Sequence, residues 1–279
     1  MATDTTPPSP SPSTTLSKTF SIPSDNNGST VEIRIAEPAG LKAEGLGLTT
    51  WGASLILANQ LHHLTPEVRP AISTTNTSGS DSDEGPRAEN TILELGAGTG
   101  LVGLAAAMLW KASGVVLTDL PPIVPGTSES CALNSLVLET MSVEMPRCGT
   151  LDWSQPSTLY LHPSGQQNMG RELRKLDARN PEHKFPTILS ADTLYSEEQP
   201  EMLTKTIEAW LQRSETARAV VCYACRFAYL DVIREFWERM EGLGLECVAE
   251  GKADTEKGED WREVGGTYYE WCVWRWKRE

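Results

Sequence analysis

The stretch TILELGAGTGLVGLAAAML, residues 91–109, decides the fold. An apolar strand pattern (91–95) runs into glycines at 96, 98 and 100, and the chain leaves through an unbroken apolar run of helical character. A glycine turn lets backbone approach a ligand closely, where any Cβ would collide. The helix that follows offers unpaired N–H groups at its N-terminus. In open α/β sheets the ligand crevice lies beyond the carboxyl ends of the strands, which is where this turn falls.

Working outward, the same strand–turn–helix rhythm repeats. Strands are predicted at 91–95, 115–119, 143–147, 187–191, 218–224, 245–249 and 268–276, with helices at 101–110, 128–140, 200–212 and 228–241. Strands alternating with helices imply an α/β fold whose mostly parallel, doubly wound sheet carries helices on both faces. The last strand alternates Tyr269, Trp271 and Val273 with Cys272, Trp274 and Trp276, so both of its faces should be covered. Upstream, 18–36 reads as a hairpin around the turn at Asp25–Gly28, and Trp51-Gly52-Ala53-Ser54 opens an apolar helix pattern. Residues 1–17 are mostly Ser, Thr and Pro, and 73–90 contain no large apolar residue. Neither can bury enough apolar surface to offset the entropy of ordering. The expected organisation is therefore a disordered tail (1–17), a hairpin and helix (18–72), a disordered insertion (73–90) and a core (91–279).

Composition excludes several classes. No apolar run is long enough for a transmembrane helix, and the N-terminus has no secretory pattern. A net charge of −14 argues against nucleic-acid binding, which needs clustered Lys and Arg. It suits a basic protein partner steered by long-range attraction, or simply solubility. The six cysteines form no framework, and reduced thiols in a cytoplasmic or nuclear setting are expected. Cys222-Tyr-Ala-Cys225 lies in an apparent strand, which puts its thiols on opposite faces, and the four histidines make no zinc constellation. No metal is expected.

The glycine turn admits two nucleotide-type cofactors. Residues 98–103 fit the dinucleotide pattern G-x-G-x-x-G. Counted from Gly96, the first glycine after the strand, the sixth position is Leu101, and Glu94 stands two residues before that glycine. Both details favour S-adenosylmethionine over a dinucleotide. Asp119, ending the next strand, would serve the ribose hydroxyls of either.

Trp51-Gly52-Ala53, ELGAGTGLVGLAAA (94–107), TDL (118–120), Asp152-Trp153 and the D-x-x-Y of Asp192 to Tyr195 together resemble the seven-strand protein-lysine methyltransferases of methyltransferase family 16, including the methyltransferase-like 21 group and fungal enzymes acting on translation elongation factors. The resemblance covers roughly 45–276. It implies a class I methyltransferase, Rossmann-like fold with a seven-stranded sheet, and S-adenosylmethionine as cofactor. It implies that Trp51, Glu94, Gly96, Ala97, Gly98, Asp119, Trp153 and Ala191 bind that cofactor, and that Asp192 and Tyr195 serve the reaction. The implied partner is a protein offering a lysine side chain, with a translation factor as one candidate, and the chain is expected to be a monomer.

Methyl transfer to lysine needs a neutral amine aligned with the methyl group and shielded from water. The amine, with a solution pKa of about 10.4, must first lose a proton. Asp192 would orient it and Tyr195 would wall the channel, positioning the amine rather than acting as strong bases. Taken without the resemblance, Trp51 and Trp153 read as packing residues and Asp192 as a cap. Other readings are a small-molecule N-methyltransferase, for instance on nicotinamide, a non-catalytic cofactor-binding module and a dehydrogenase. The polar stretch 154–184 is longer than the family core requires.

Overall fold

The computed structural model describes residues 16–43, 45–73, 90–163, 173–253 and 268–278. Nearly all of the expected tail and insertion (1–15 and 74–89) lies outside the described residues. At their edges, Leu16 and Ser17 already pair in a strand and Ser73 ends a helix.

The chain opens with an antiparallel hairpin, β1 (Leu16–Pro23) and β2 (Thr30–Glu37). Its turn is held by the Asp25 carboxylate, whose Oδ1 accepts from the N–H groups of Asn27 and Ser29 at 2.8 and 3.1 Å, with Gly28 at φ +90°. A two-rung ribbon follows, β3 (Lys42–Ala43) and β4 (Leu46–Gly47), and then α1 (Gly52–Ser73). The core runs β5 (Ile92–Leu95), α2 (Leu101–Trp110), β6 (Val115–Asp119), α3 (Val124–Leu133), α4 (Ser135–Thr140), β7 (Arg147–Thr150), β8 (Thr158–Leu161) and β9 (Arg174–Asp177). It continues through β10 (Thr187–Ala191), α5 (Gln199–Trp210), β11 (Arg218–Ala224), α6 (Leu230–Gly242), β12 (Leu245–Ala253) and β13 (Tyr269–Trp276).

The large sheet has the order β12-β13-β11-β10-β5-β6-β7-β8-β9. Its five central strands are parallel, β13 pairs antiparallel with both β11 and β12, and β8 and β9 continue antiparallel from β7. From β5 the chain moves outward through β6 and β7, then returns to build the opposite half from β10. That reversal, between β5 and β10, is the topological switch point where open α/β sheets bind ligands.

Strand alternation explains the two cores. Ile92 packs on the face covered by α1, α2 and the hairpin, while Leu93 and Leu95 pack on the face covered by α5 and α6. In β13, Tyr269 and Val273 join the first core, and Cys272, Trp274 and Trp276 the second, as its alternation predicts. α2 is buried along Leu101–Met108 because it is sandwiched between sheet and α1. Gly103 is what permits this closeness: a Cβ there would lie 2.0 Å from Leu117 Cδ2 and 2.5 Å from Glu94 Oε2.

Three expectations need correction. The strand expected at 143–147 is at 147–150, because Val143 N–H closes onto Leu138 O at 2.9 Å and Pro146 has no N–H for the ladder. The single helix expected at 128–140 is two, broken at Asn134. That side chain is engaged elsewhere: it donates to Arg34 O and Ser130 O at 2.6 and 2.8 Å and accepts from Arg34 N–H at 3.0 Å, tying β2 to the core. Among the described residues the sheet has nine strands instead of seven. The extra pair, β8 and β9, comes from the long polar stretch and buries Leu159, Leu161 and Leu176. Among the described residues no helix is long and apolar enough to cross a membrane.

Candidate active site

The glycine turn after β5 has the conformation its sequence requires. Gly96, Gly98 and Gly100 have φ of +66°, +53° and +85°, in the left-handed region that side chains disfavour. The Asp119 carboxylate at the end of β6 braces the turn, with Oδ2 accepting from Gly98 N–H at 2.7 Å and Oδ1 from Leu120 N–H at 2.7 Å. Thr127 donates to Gly98 O at 2.6 Å, fastening the turn to α3. At Gly96 space is also short, since a Cβ would meet Thr193 Cγ2 at 2.9 Å and the Trp153 ring at 3.4 Å.

Over this turn lies a cavity of about 440 Å³. Trp51, Gly96, Ala97, Gly98, Asp119, Trp153, Ala191, Asp192 and Tyr195 all line it. The structure therefore brings together nine of the ten residues singled out from sequence. Glu94 is elsewhere: its buried carboxyl turns beneath the turn toward α2, where Oε2 accepts from Gly103 N–H at 2.9 Å. Burial pushes that carboxyl up to about 8, partly countered by the Gly103 hydrogen bond.

A second chamber, about 250 Å³, opens beside the first. Leu46, Trp51, Asp192 and Tyr195 line both, while Arg226 and Tyr229 belong only to the second. Asp192 stands at the junction with φ +58°, a conformation costly for most side chains though Asp is among those that adopt it. Its N–H bonds to Cys222 O at 2.9 Å, which extends the β10–β11 ladder by one rung and holds the strained residue. Its Oδ1 lies 3.4 Å from Arg226 Nη1. The turn to Tyr195 is held by Gln199, whose Oε1 accepts from the N–H groups of Tyr195 and Ser196 at 2.6 and 3.1 Å. Ser190 and Thr193 hydroxyls close it from inside at 2.8 Å.

Sequence reading missed Arg226, Tyr229, Leu46 and Gln199. Arg226 was within reach, because it follows the carboxyl end of a parallel strand, where the crevice of such sheets lies. Leu46 sits in a ribbon too short to leave a periodic signal. Cys222 and Cys225 pack toward opposite cores, and no group of potential metal ligands occurs among the described residues.

The cavity suits a nucleoside sulfonium. Its volume lies within the roughly 300–1,000 Å³ usual for small-molecule sites. A side-chain-free turn faces it, an aromatic ring (Trp153) and a carboxylate (Asp119) line it, and the backbone at Gly96 leaves no room for a Cβ.

Comparison with known proteins places this architecture. The lysine methyltransferase family model matches residues 29–164. A protein-lysine N-methyltransferase of Saccharomyces cerevisiae, EFM2, is 31% identical over 202 residues, covering 70% of this chain and 41% of its own length. The Schizosaccharomyces pombe protein-lysine N-methyltransferase rrg1 is 28% identical over 266 residues, 94% of this chain and 71% of its own. This chain thus spans less than half of EFM2. Among solved structures, P. horikoshii TYW2 in complex with MeSAdo aligns with 87% of this chain and 70% of its own at a TM-score of 0.44 and 13% identity, too distant to bear on the site.

Proposed function

We propose that this chain, which carries the lysine methyltransferase family's domain at residues 29–164, is an S-adenosylmethionine-dependent protein-lysine N-methyltransferase. The observation that carries the reading is the junction of the two chambers at Asp192 and Tyr195. One chamber has the glycine turn of a nucleotide-type cofactor, and the other is a short aromatic-walled recess that a lysine side chain would fill. When bound, the cofactor supplies a methyl group on a sulfonium: the amine lone pair forms the new N–C bond, the C–S electrons stay on sulfur, and the nitrogen's proton leaves to water.

The chain's own residues divide the work. The glycine turn, Asp119 and Trp153 would hold the cofactor, and Trp51 lines both chambers. Asp192 accepts a hydrogen bond from the incoming amine, and Tyr195 walls the passage and excludes water. A translation factor is our first candidate substrate, as the family resemblance implies, and the net charge of −14 favours a basic protein. We place the protein in the cytosol or nucleus, acting as a monomer.

The test is incubation with labelled S-adenosylmethionine and a fungal cell extract. Label should enter protein lysine. Asp192→Ala should abolish it while leaving S-adenosylhomocysteine affinity within about threefold, since the side chain stands at the acceptor junction. Near-normal turnover of that variant would remove Asp192 from the reaction. Label confined to small molecules would replace the protein substrate with a small amine.

A further inference from the structure

The second chamber poses a chemical problem. A lysine arrives as an ammonium ion, and at neutral pH only roughly one amine in a thousand is neutral, given a pKa of about 10.4. A lone carboxylate in a desolvated recess stabilises the charged form of a neighbouring amine. Asp192 by itself would therefore hold the substrate as an ammonium ion, which has no lone pair to give.

Arg226 stands where that problem is met. Its guanidinium lies 3.4 Å from Asp192 Oδ1, with the Arg226 side chain 23% and the Asp192 side chain 6% exposed. It sits 6.0 Å from the centre of the Tyr229 ring. Its backbone is held on both sides, donating to Ala224 O at 3.0 Å and accepting from Tyr229 N–H at 2.9 Å. Among the described residues lining the chamber, Arg226 is the one cation and Asp192 the one carboxylate.

Among the described residues, no further charged side chain lines the chamber. Tyr195, from the loop after β10, and Tyr229, from the turn before α6, present phenol side chains to it. Beneath Asp192 the Cys222 thiol is pushed up by burial, and next to Arg226 the Cys225 thiol is pushed up to about 12, so both stay protonated. From the neighbouring strands, Glu270 of β13 and Lys252 of β12 pair with each other at 2.8 Å. Glu197 and Glu198, on the approach to α5, are exposed to solvent.

We propose that Arg226 is a positioning residue of the acceptor chamber, which cancels the charge of Asp192 so that this carboxylate accepts a hydrogen bond from a neutral amine without trapping the ammonium form. This rests on the methyltransferase reading above. A carboxylate has about four lone-pair sites, so a guanidinium contact and an amine can share it. Arginine suits the task because it stays charged at every working pH, and its planar fork is fixed by the contacts it makes.

The test measures initial rates of methyl transfer to the extract protein that the wild type labels, between pH 6.5 and 9.5. Arg226→Met should move the rising limb of the pH–rate profile upward by about one unit. At pH 7.5 its kcat should fall about tenfold while KM for the protein holds or drops, because the ammonium form now binds unproductively. Arg226→Lys should keep the wild-type profile. Arg226→Met combined with Asp192→Asn, which restores neutrality, should move the limb back toward wild type. S-adenosylhomocysteine affinity, measured on each variant, reports whether the fold survives. A profile for Arg226→Met that parallels the wild type at all pH values overturns the proposal, as does a double variant with the same upward shift. If the wild type labels no protein, the protein-lysine reading falls and this inference with it. If it labels a lysine and the limbs coincide, only the role of Arg226 falls.

Discussion

The two chambers share Asp192, yet they are built in opposite ways. The floor of the glycine-turn chamber grows from consecutive residues: a buried strand, three left-handed glycines and a helix pressed so tightly onto the sheet that Gly103 has no space for a side chain. The acceptor chamber is collected from β4, the residue before α1, the loop after β10 and the turn after β11. Backbone conformation and close packing secure the first, and a few side-chain contacts between distant segments secure the second. Damage to the first should therefore appear as lost stability or cofactor affinity, and damage to the second as altered handling of the acceptor.

The largest effect is expected at Glu94. Its folded carboxyl, at about 8, holds a proton more tightly than the unfolded group at about 4.5. The group's contribution to stability is complete below pH 4.5, is lost steadily as pH rises from 4.5 to 8, and is flat above, on the order of a few kcal/mol in all. Without added cofactor, the melting temperature should fall across this window. Glu94→Gln keeps an acceptor for Gly103 N–H and removes the titration, so its curve should be flatter. Equal slopes for the two proteins would show that Glu94 ionises freely in the fold.

Gly103→Ala comes next. Leu117 is itself fully packed and has little room to move, so the added methyl should cost about 2 kcal/mol by overpacking. That corresponds to a melting temperature lower by roughly 4–8 °C for a chain of this size. Gly96→Ala should be milder for the fold and harsher for the ligand. A left-handed alanine costs about 1–2 kcal/mol, and its methyl meets Thr193 and Trp153 at the cavity floor. S-adenosylhomocysteine binding by calorimetry should weaken roughly tenfold. If Gly96→Ala binds normally, the turn serves packing alone.

The same contrast explains what could be read from the sequence. Period and glycine spacing are local signals, so the central strands, α2, and the place of Gly96, Gly98 and Asp119 at the crevice are legible along one stretch of chain. Asn134 was not, because its side chain leaves the helix to hold β2, a residue one hundred positions away. β7 was misplaced by four residues because the apolar segment before Pro146 has strand-like composition while its backbone closes a helical turn. Glu94 stands in the same motif, and only three-dimensional packing shows its carboxyl turned toward α2. Arg226 carried no motif, and its meaning depends on standing opposite Asp192.

The smallest effect tests the acceptor chamber's looser construction. Gln199 lines the first chamber, and it acts on the second through the loop after β10. Its carbonyl accepts from the N–H groups of Tyr195 and Ser196 and so shapes the turn that carries the tyrosine. Removing it in Gln199→Ala leaves two donors to find water, a loss of about 1 kcal/mol. Tyr195 would then sample more positions at the mouth of the recess. KM for the protein acceptor should rise a few-fold while S-adenosylhomocysteine affinity and the pH profile stay as in wild type. A matching loss of cofactor affinity would mean that the two chambers are mechanically one, and that the distinction drawn between them does not extend to the loop after β10.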